Sequence, residues 1–529
     1  MAGISRRKFL TAAAGGAAVL AVDPLALVRP AALAEAAEAG FSQGVGSGQA
    51  TCEGITLWTR VDGLEQSSRL RLEVARDPGF RKVVHSDRVT ARARQNFTVH
   101  SRLAGLEPGE QYYYRFFTRG SDSPVGRFRT SLPADSCEPV RIGFFSCQDY
   151  EVGFYTAHAA LADEDLDMVV CLGDYIYERS FTDDPVRNDP TGEDGVSEVE
   201  TLAGYRDKYA LYNSDPNLRR MRQNHALMAI WDDHEVEDNY AAGRPGEATE
   251  QRDLAFRRRR RNGYRAFFEH MPRIRNGTEA DRIYGSLRLG GNAELFLLDQ
   301  RQYRSDQPCG DQIGFANCPG AFDRDRTLLG AAQERWLKRG LTDSTATWKV
   351  VGNQVMIMAL DAPATNPVNP DQWDGYKAER EELIDFIARE GIEDVSFITG
   401  DIHTFFAGQV TPSGRQPSQP QPGPPAATEF VGGSITSEGV PEAIGVDPVS
   451  TELVALLDEP TIRANNPHIE FVDTDFKGYG VLEARKEELR VDYRAVRSIT
   501  RRRSPAFTLQ RFRVQSGQPN VEVLGGGSP

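Results

Sequence analysis

Residues 168–178 read MVVCLGDYIYE. The apolar run that starts at Met168 and stops at Gly173 predicts a buried β-strand that ends at the glycine. Asp174 and Tyr177 follow directly, at the carboxyl end of the strand, where open α/β sheets place their ligand sites. Carboxylate and phenolate oxygens are hard ligands, suited to Ca²⁺, Mg²⁺ or a ferric ion. Taken alone, the same residues also fit a loop whose aspartate caps a helix.

Three further apolar runs end in polar clusters of the same kind. They read FFSCQD (144–149), AIWDDHEVEDN (229–239) and FITGDIH (397–403), and two subsidiary clusters read LLDQRQYR (297–304) and VVGNQ (350–354). Because strands of one sheet present their carboxyl ends at a common edge, we expect these side chains to converge. Several carboxylates at one edge repel each other strongly unless a cation lies among them. The pattern therefore predicts a metal centre.

The types of ligand narrow the choice of metal. The chain contains only eight histidines, which disfavours a histidine-rich zinc site and leaves oxygen ligands dominant. A thiolate at Cys147 beside a phenolate at Tyr177 favours a ferric ion, whereas the carboxylate and amide oxygens suit Ca²⁺ or Mg²⁺. Two or more such ions close together predict a clamp for phosphoryl transfer by in-line attack.

Several of these candidates also have a purely structural alternative. Cys147 fits a small core residue. His234 fits a cap at the start of a polar helix, and Asn353 fits a turn residue. His403 is harder to explain in this way, and its place at a strand end favours a ligand.

Length and charge limit the function classes. A chain of 529 residues is expected to form two domains. A net charge of −14 argues against a nucleic-acid scaffold role. We find no internal apolar stretch that is long enough to span a bilayer, so no transmembrane segment is expected in the mature chain.

Residues 1–34 predict an export signal. Residues 5–10 read SRRKFL, a twin-arginine motif, and a small-residue apolar segment follows from Thr11 to Val22. ALA at 32–34 fits the A-x-A cleavage pattern, so the mature chain is expected to begin at Glu35. These features predict a bacterial protein that uses the twin-arginine export machinery and is secreted to the extracellular or cell-wall space. The alternative is a merely basic N-terminal helix.

The pattern of the chain changes once. Residues 41–132 are rich in β-forming runs separated by turns, which predicts an N-terminal, fibronectin-like β-sandwich. Across residues 138–518, short apolar strands alternate with longer helical segments, which predicts a layered α/β catalytic domain. Residues 519–529 are expected to form a C-terminal tail.

The cysteines suggest disulfides, as expected of an exported protein. Cys309 and Cys318 flank a polar loop and predict one bridge, and Cys52 and Cys137 are a second candidate pair. Cys171 lies within the apolar run and is interpreted as an inert core residue.

Taken in order, the motifs resemble the alkaline phosphatase D (PhoD-like) family. The segments that carry the resemblance are SCQ (146–148), GDYIYE (173–178), WDDHE (231–235), LDQRQYR (298–304) and GDIH (400–403), with FSQGVGSG (41–48), LWTRV (57–61), DQWDGY (371–376) and SITS (434–437). The resemblance spans essentially the whole mature chain. It implies a four-layer α/β/β/α metallophosphoesterase sandwich of the purple-acid-phosphatase type, preceded by the β-sandwich.

The resemblance also implies roles for individual residues. A ferric ion is expected on Cys147, Asp174 and Tyr177, with Asp174 bridging to a second metal. Calcium, as one or two ions, is the expected partner metal, with Mg²⁺ or another divalent ion as the alternative. The remaining assignments are Asp233, Asn353 and Asp401 as ligands, His403 as a ligand or phosphate contact, and His234 as a donor to a phosphate oxygen or to the leaving group.

The predicted function is that of a secreted, metal-dependent alkaline phosphatase. A metal-bound hydroxide attacks the phosphate ester in line and releases inorganic phosphate, with no covalent phosphoenzyme. Arg301 and Arg304 are candidates for holding the ester, and structural arginine–carboxylate pairs are the alternative for both. A phosphodiesterase or phospholipase D-type activity on the same site, with diesters and phospholipids as substrates, is the nearer rival. The more distant one is a calcium-stabilised adhesion protein.

Overall fold

The computed structural model describes residues 40–192, 198–246, 253–275, 279, 281–311, 318–362, 366–367, 369–412, 423–439 and 459–527. The expected signal segment, residues 1–34, lies outside these ranges. So do parts of the loops within the expected α/β domain.

The first seven strands form the expected all-β region. They are β1 (Val45–Thr51), β2 (Gly54–Arg60), β3 (Ser68–Ala75), β4 (Val83–Ala91), β5 (Thr98–Leu103), β6 (Gln111–Phe117) and β7 (Gly126–Arg129). They pair in two antiparallel sheets, in the orders β1-β2-β5 and β4-β3-β6-β7. In β6 the side chains of Tyr112, Tyr114 and Phe116 are buried while their neighbours are half-exposed, the period of two that a sheet with one buried face requires.

Two seven-stranded sheets follow in the part of the chain that the structure describes. Their strands are β8 (Val140–Phe145), β9 (Met168–Cys171), β10 (Leu227–Ala229), β11 (Gly285–Arg288), β12 (Ala293–Leu297), β13 (Trp348–Asn353), β16 (Val395–Thr399), β17 (Phe405–Val410), β18 (Ala427–Val431), β19 (Ile469–Asp473), β20 (Lys477–Ala484), β21 (Glu488–Val496), β22 (Ala506–Gln515) and β23 (Gln518–Val523), with a separate two-stranded pair, β14 (Asp361–Ala362) and β15 (Asn366–Pro367). The order in the first sheet is β10-β9-β8-β20-β21-β22-β23, and in the second it is β11-β12-β13-β16-β18-β17-β19.

Helices cover the two sheets. They are α1 (Thr156–Leu161), α2 (Leu202–Tyr212), α3 (Pro216–Asn224), α4 (Asp253–His270), α5 (Ala331–Asp343), α6 (Lys377–Arg389) and α7 (Glu459–Asn465), with 3₁₀ turns at Ala93–Gln95, Pro308–Asp311, Pro319–Phe322 and Trp373–Tyr376. Local signals fix their starts: the Thr201 side chain accepts from the Gly204 amide before α2, and Asp215 with Pro216 begins α3. Among the helices of the described ranges, none combines the length and apolarity needed to cross a bilayer.

The layers pack as the sequence predicts. Aromatic rings of the two facing sheets pack against each other. The ring centroids of Phe405 and Tyr493 lie 4.8 Å apart, and those of Phe430 and Phe512 lie 5.7 Å apart. A second apolar cluster, to which α5 contributes Leu337 and α6 contributes Leu383, covers the outer face of the second sheet. The α/β/β/α arrangement is therefore confirmed.

The C-terminal strands were not predicted, and they correct one expectation. Residues 519–523 belong to β23 and not to a tail, since β23 pairs with β22 at the edge of the first sheet. Pro519 reads as a loop signal, but an edge strand tolerates the missing N–H. The backbone contacts even continue beyond β23, where the Leu524 amide donates to the Arg511 carbonyl.

Two predictions about the cysteines are confirmed and one is wrong. Cys309 and Cys318 form the expected disulfide, and Cys171 is buried in the core as expected. The Cys52–Cys137 pairing is wrong, because both thiols are free. The backbone carbonyl of Cys137 accepts a hydrogen bond from the side-chain amide of Asn292, which holds this segment against the α/β layers.

The buried ring of His270, the last residue of α4, makes the stability of the fold depend on pH. Its ring is buried and stacks on Tyr209 at 4.9 Å, and its Nδ1 lies 2.9 Å from the Ala266 carbonyl. Burial lowers the pKa of His270 from 6.5 to about 3. The unfolded chain therefore takes up a proton as the pH falls through 6.5, while the folded chain does not. The stability that the neutral ring confers is complete above pH 6.5 and is lost progressively as the pH falls towards 3.

We expect His270→Gln to remove this loss. Between pH 7.5 and pH 5 the free energy of unfolding should fall by about 2 kcal/mol more in the wild type than in the variant. Urea unfolding at both pH values measures the difference, and His85→Gln, a half-exposed position on β4, is the control. Equal pH dependence in wild type and His270→Gln would contradict the prediction.

Candidate metal centre

The strand ends bring the predicted polar residues together. Cys147 follows β8, Asp174 follows β9, Asp232 and Asp233 follow β10, and Asp401 follows β16. Three groups of side chains place one potential ligand atom each within 4.8 Å of the others: Cys147, Asp174 and His403; Asp174, Asp233 and His234; and Asp232, Asp233 and Asp401. Asp174 belongs to two groups and Asp233 belongs to two, so the three groups are contiguous.

The backbone at this centre is unusual. Cys147, Asp174, Asp401 and His403 have φ values of 57°, 55°, 63° and 56°, in the left-handed region that residues with a side chain seldom adopt. Gly173 is required before Asp174, because a Cβ at its φ of 118° would lie 2.4 Å from the Cβ of Asp232. Backbone strain of this kind persists where the surrounding structure imposes it, commonly at functional sites.

Tyr177 lies beside the first group. Its side chain is 3% exposed, and its hydroxyl lies 3.2 Å from His403 Nε2 and 3.5 Å from Asp174 Oδ2. The Ser437 hydroxyl donates to the hydroxyl oxygen of Tyr177 at 2.7 Å. Ser437 was quoted in the SITS segment, but no role was predicted for it.

His234 lies against Tyr177, with the two rings stacked at 4.2 Å. Its Nδ1 is 2.9 Å from Glu178 Oε2, an interaction that sequence reasoning missed although Glu178 ends the opening motif. Burial lowers the pKa of His234, but Asp233 and Glu178 outweigh it and raise the pKa well above its usual value. Glu178 therefore engages Nδ1 of the imidazole and fixes the orientation of the ring.

Arg301 and Arg304, the candidates for holding the ester, are buried among carboxylates. Both side chains are 0% exposed. Arg301 pairs with four carboxylates, those of Asp232, Asp233, Asp371 and Asp401. Arg304 pairs with Asp371 at 3.0 Å and donates to the Tyr376 hydroxyl. These ion pairs favour the structural alternative for both residues.

Asn353, another predicted ligand, makes hydrogen bonds within the protein through both atoms of its amide. Its Oδ1 accepts from the indole of Trp373 at 3.2 Å, and its Nδ2 donates to the Thr399 hydroxyl and the Val355 carbonyl. Its side chain is therefore bonded within the protein. Asp232, for which no role was predicted, belongs to the third group beside Asp233 and Asp401.

The donor set fits bound cations. Asp174 Oδ1, Asp232 Oδ2 and Asp233 Oδ1 are buried and accept no hydrogen bond from any described residue. Burial and the neighbouring Asp233 raise the pKa of Asp174. Burial and Asp371 raise the pKa of Asp401 to about 7, although Arg301 opposes the shift. Burial, helped by Asp174, also raises the pKa of the Cys147 thiol. A cation among these atoms would offset the repulsion and partner the unbonded oxygens.

Comparisons with known proteins identify the family of the chain. Residues 142–493 match the model of the PhoD-like phosphatase family, and residues 28–132 match the model of the PhoD-like phosphatase N-terminal domain. Alkaline phosphatase D of Bacillus subtilis (strain 168) is 35% identical over 504 residues, which cover 92% of this chain and 82% of the relative.

Solved structures lead to the same family. A structure of PhoD superimposes with a TM-score of 0.81 and 32% identity over 92% of both chains. A purple acid phosphatase, PPD1 from yellow lupin (Lupinus luteus) seeds, shares the fold, with a TM-score of 0.52 and 13% identity over 85% of this chain and 71% of that one. The chain belongs to the PhoD-like phosphatase family.

Proposed function

We propose that this phosphoester hydrolase is a secreted, metal-dependent alkaline phosphatase that releases inorganic phosphate from monoesters. Membership of the PhoD-like phosphatase family supports the hydrolase class. The observation that carries metal dependence is the set of three contiguous groups, in which buried carboxylate oxygens accept no hydrogen bond from the described residues.

The chemistry of each group suggests its metal. Cys147, Asp174 and Tyr177, with His403 beside them, combine a thiol, a carboxylate and a phenol and would hold a ferric ion. Asp233, with Asp232 and Asp401, offers only carboxylate oxygens and would hold Ca²⁺ or another hard divalent ion. When bound, such metals polarise phosphoryl oxygens and lower the pKa of water.

The residues of this chain supply the remaining steps. Glu178 engages Nδ1 of His234 and so fixes the ring. A proton on Nε2 would then be donated to the leaving oxygen as the ester bond breaks. Arg301 holds Asp232, Asp233 and Asp401 in place and so orients ligands without touching the ester.

Export is the part of the proposal that rests on sequence alone. The twin-arginine motif and the cleavage pattern in residues 1–34 support translocation by the twin-arginine machinery. This machinery carries folded proteins, which suits a chain that acquires its metals before it leaves the cytoplasm.

Rates on two related esters test the proposed function. We expect faster hydrolysis of 4-nitrophenyl phosphate than of bis(4-nitrophenyl) phosphate at alkaline pH, and loss of both activities after chelation. Elemental analysis of the same samples should find iron and calcium in the active protein and their loss in the inactive one. A faster diester would identify the phosphodiesterase alternative, and full activity in metal-free protein would refute metal dependence.

A further inference from the structure

Phe181 is an exposed aromatic residue that packs against two buried residues of the candidate metal centre. Its side chain is 37% exposed, whereas Tyr177 is 3% and His234 is 8% exposed. The Phe181 ring nevertheless touches both, with its centroid 4.8 Å from the His234 ring and 5.7 Å from the Tyr177 ring. Both contacts are edge-to-face, with interplanar angles of 77° and 80°. Phe181 therefore presents an exposed aromatic surface directly beside the buried rings of Tyr177 and His234.

The ring is also held in place. The Arg179 guanidinium lies 4.5 Å from the Phe181 centroid and donates to Asp238 at 3.0 Å. The Asp238 amide in turn donates to Glu178, the residue that engages His234. A fixed aromatic surface loses little conformational entropy when a ligand packs on it.

We infer that Phe181 is a specificity-determining residue that receives the organic group of the ester and favours an aryl group. The inference rests on the proposed function, in which His234 donates to the leaving oxygen. The atoms bonded to that oxygen then lie beside His234, where Phe181 is the neighbouring exposed ring. An aryl group packs on this ring by aromatic contact as well as by burial of apolar area, which a small polar alcohol cannot do.

Two monoesters and a short series of variants test the inference. The measured quantity is the ratio of kcat/KM for 4-nitrophenyl phosphate to kcat/KM for glycerol 3-phosphate. We expect Phe181→Ala to lower this ratio about tenfold, since loss of an aromatic contact together with apolar burial is an effect of that order. Phe181→Tyr keeps an aromatic ring and should show the wild-type ratio. Phe181→Leu lacks a ring and should show a lowered ratio.

Phe322 offers a matched control. It is 47% exposed, and the Lys377 amine lies 4.6 Å from its ring centroid, so it too is an exposed phenylalanine beside a cation. Phe322→Ala should leave the ratio unchanged.

The outcomes separate this inference from the proposed function. A wild-type protein that hydrolyses neither monoester refutes the proposed function. If the wild type hydrolyses both and Phe181→Ala keeps the ratio, only the inference fails; this includes the case in which both rates fall equally, because Phe181 would then merely support His234. A ratio that Phe181→Leu preserves also overturns it, since the ring would not be the feature recognised.

Discussion

Asp174→Asn is expected to abolish turnover and to remove bound metal. Asp174 contributes to two of the three metal groups, and its Oδ1 has no hydrogen-bond partner among the described residues. An amide has the same shape but carries no negative charge, so both groups lose an anionic ligand. Because metal ions supply several kcal/mol of transition-state stabilisation, we expect kcat to fall at least about a thousandfold. Turnover of 4-nitrophenyl phosphate and elemental analysis measure the two effects.

Two further variants sharpen this result. Tyr177→Phe keeps Asp174 and removes only the phenol, so it should bleach any ligand-to-metal charge-transfer colour while part of the metal stays bound. Asp299→Asn changes another buried aspartate that follows a strand, but one whose oxygens already accept from Gln302 and Trp231. It should retain its metals. Full turnover in Asp174→Asn would rule out the bridging role.

Arg301→Met is expected to destabilise the fold more than any surface substitution. The Arg301 side chain is 0% exposed and donates to Asp371 at 2.9 Å and to Asp401 at 3.2 Å. In the metal-free protein its removal leaves Asp232, Asp233 and Asp401 buried without their guanidinium partner, and breaking buried pairs in this way costs about 3–5 kcal/mol. Urea unfolding should show a decrease of that size, and the remaining folded protein should bind metal more weakly.

Arg259→Met separates the two consequences of Arg301→Met. Arg259 has a side chain that is 1% exposed and lies 3.3 Å from both Glu198 and Glu237, so its loss should also destabilise the fold. None of its carboxylate partners belongs to the three metal groups, so its variant should keep the metal affinity of the wild type. A free energy of unfolding within about 1 kcal/mol of the wild type for Arg301→Met would contradict the stated role.

The sequence predicted the parallel half of the fold better than the antiparallel half. Strands such as β9 and β16 are buried on both faces, so they appear as predominantly apolar runs that lead to a glycine. In β22, by contrast, buried positions alternate with half-exposed and exposed ones that include Arg511 and Arg513. The apolar runs that marked the parallel strands are absent there, and the strand was missed. The edge strand β23 was missed because Pro519 resembles a turn.

For the site, the sequence predicted which residues meet but not how each is used. Strand ends alone placed Cys147, Asp174, Asp233 and Asp401 at one edge, because backbone topology decides that convergence. The partners of each side chain depend on contacts distant in sequence. Asn353 is bonded to Trp373, and Arg301 reaches carboxylates that lie up to 100 residues away in the chain. No local pattern contains that information.

The left-handed backbone at Cys147, Asp174, Asp401 and His403 has a consequence for protein engineering. Each such residue is less stable than in a right-handed conformation by about 1–2 kcal/mol, whereas glycine has no such cost. A redesign scored on folding free energy alone would therefore place glycine at these positions and report an improvement. Selection for catalysis and selection for thermostability oppose each other at these four positions. Directed evolution for a more robust enzyme should therefore hold them fixed and seek its gains elsewhere in the chain.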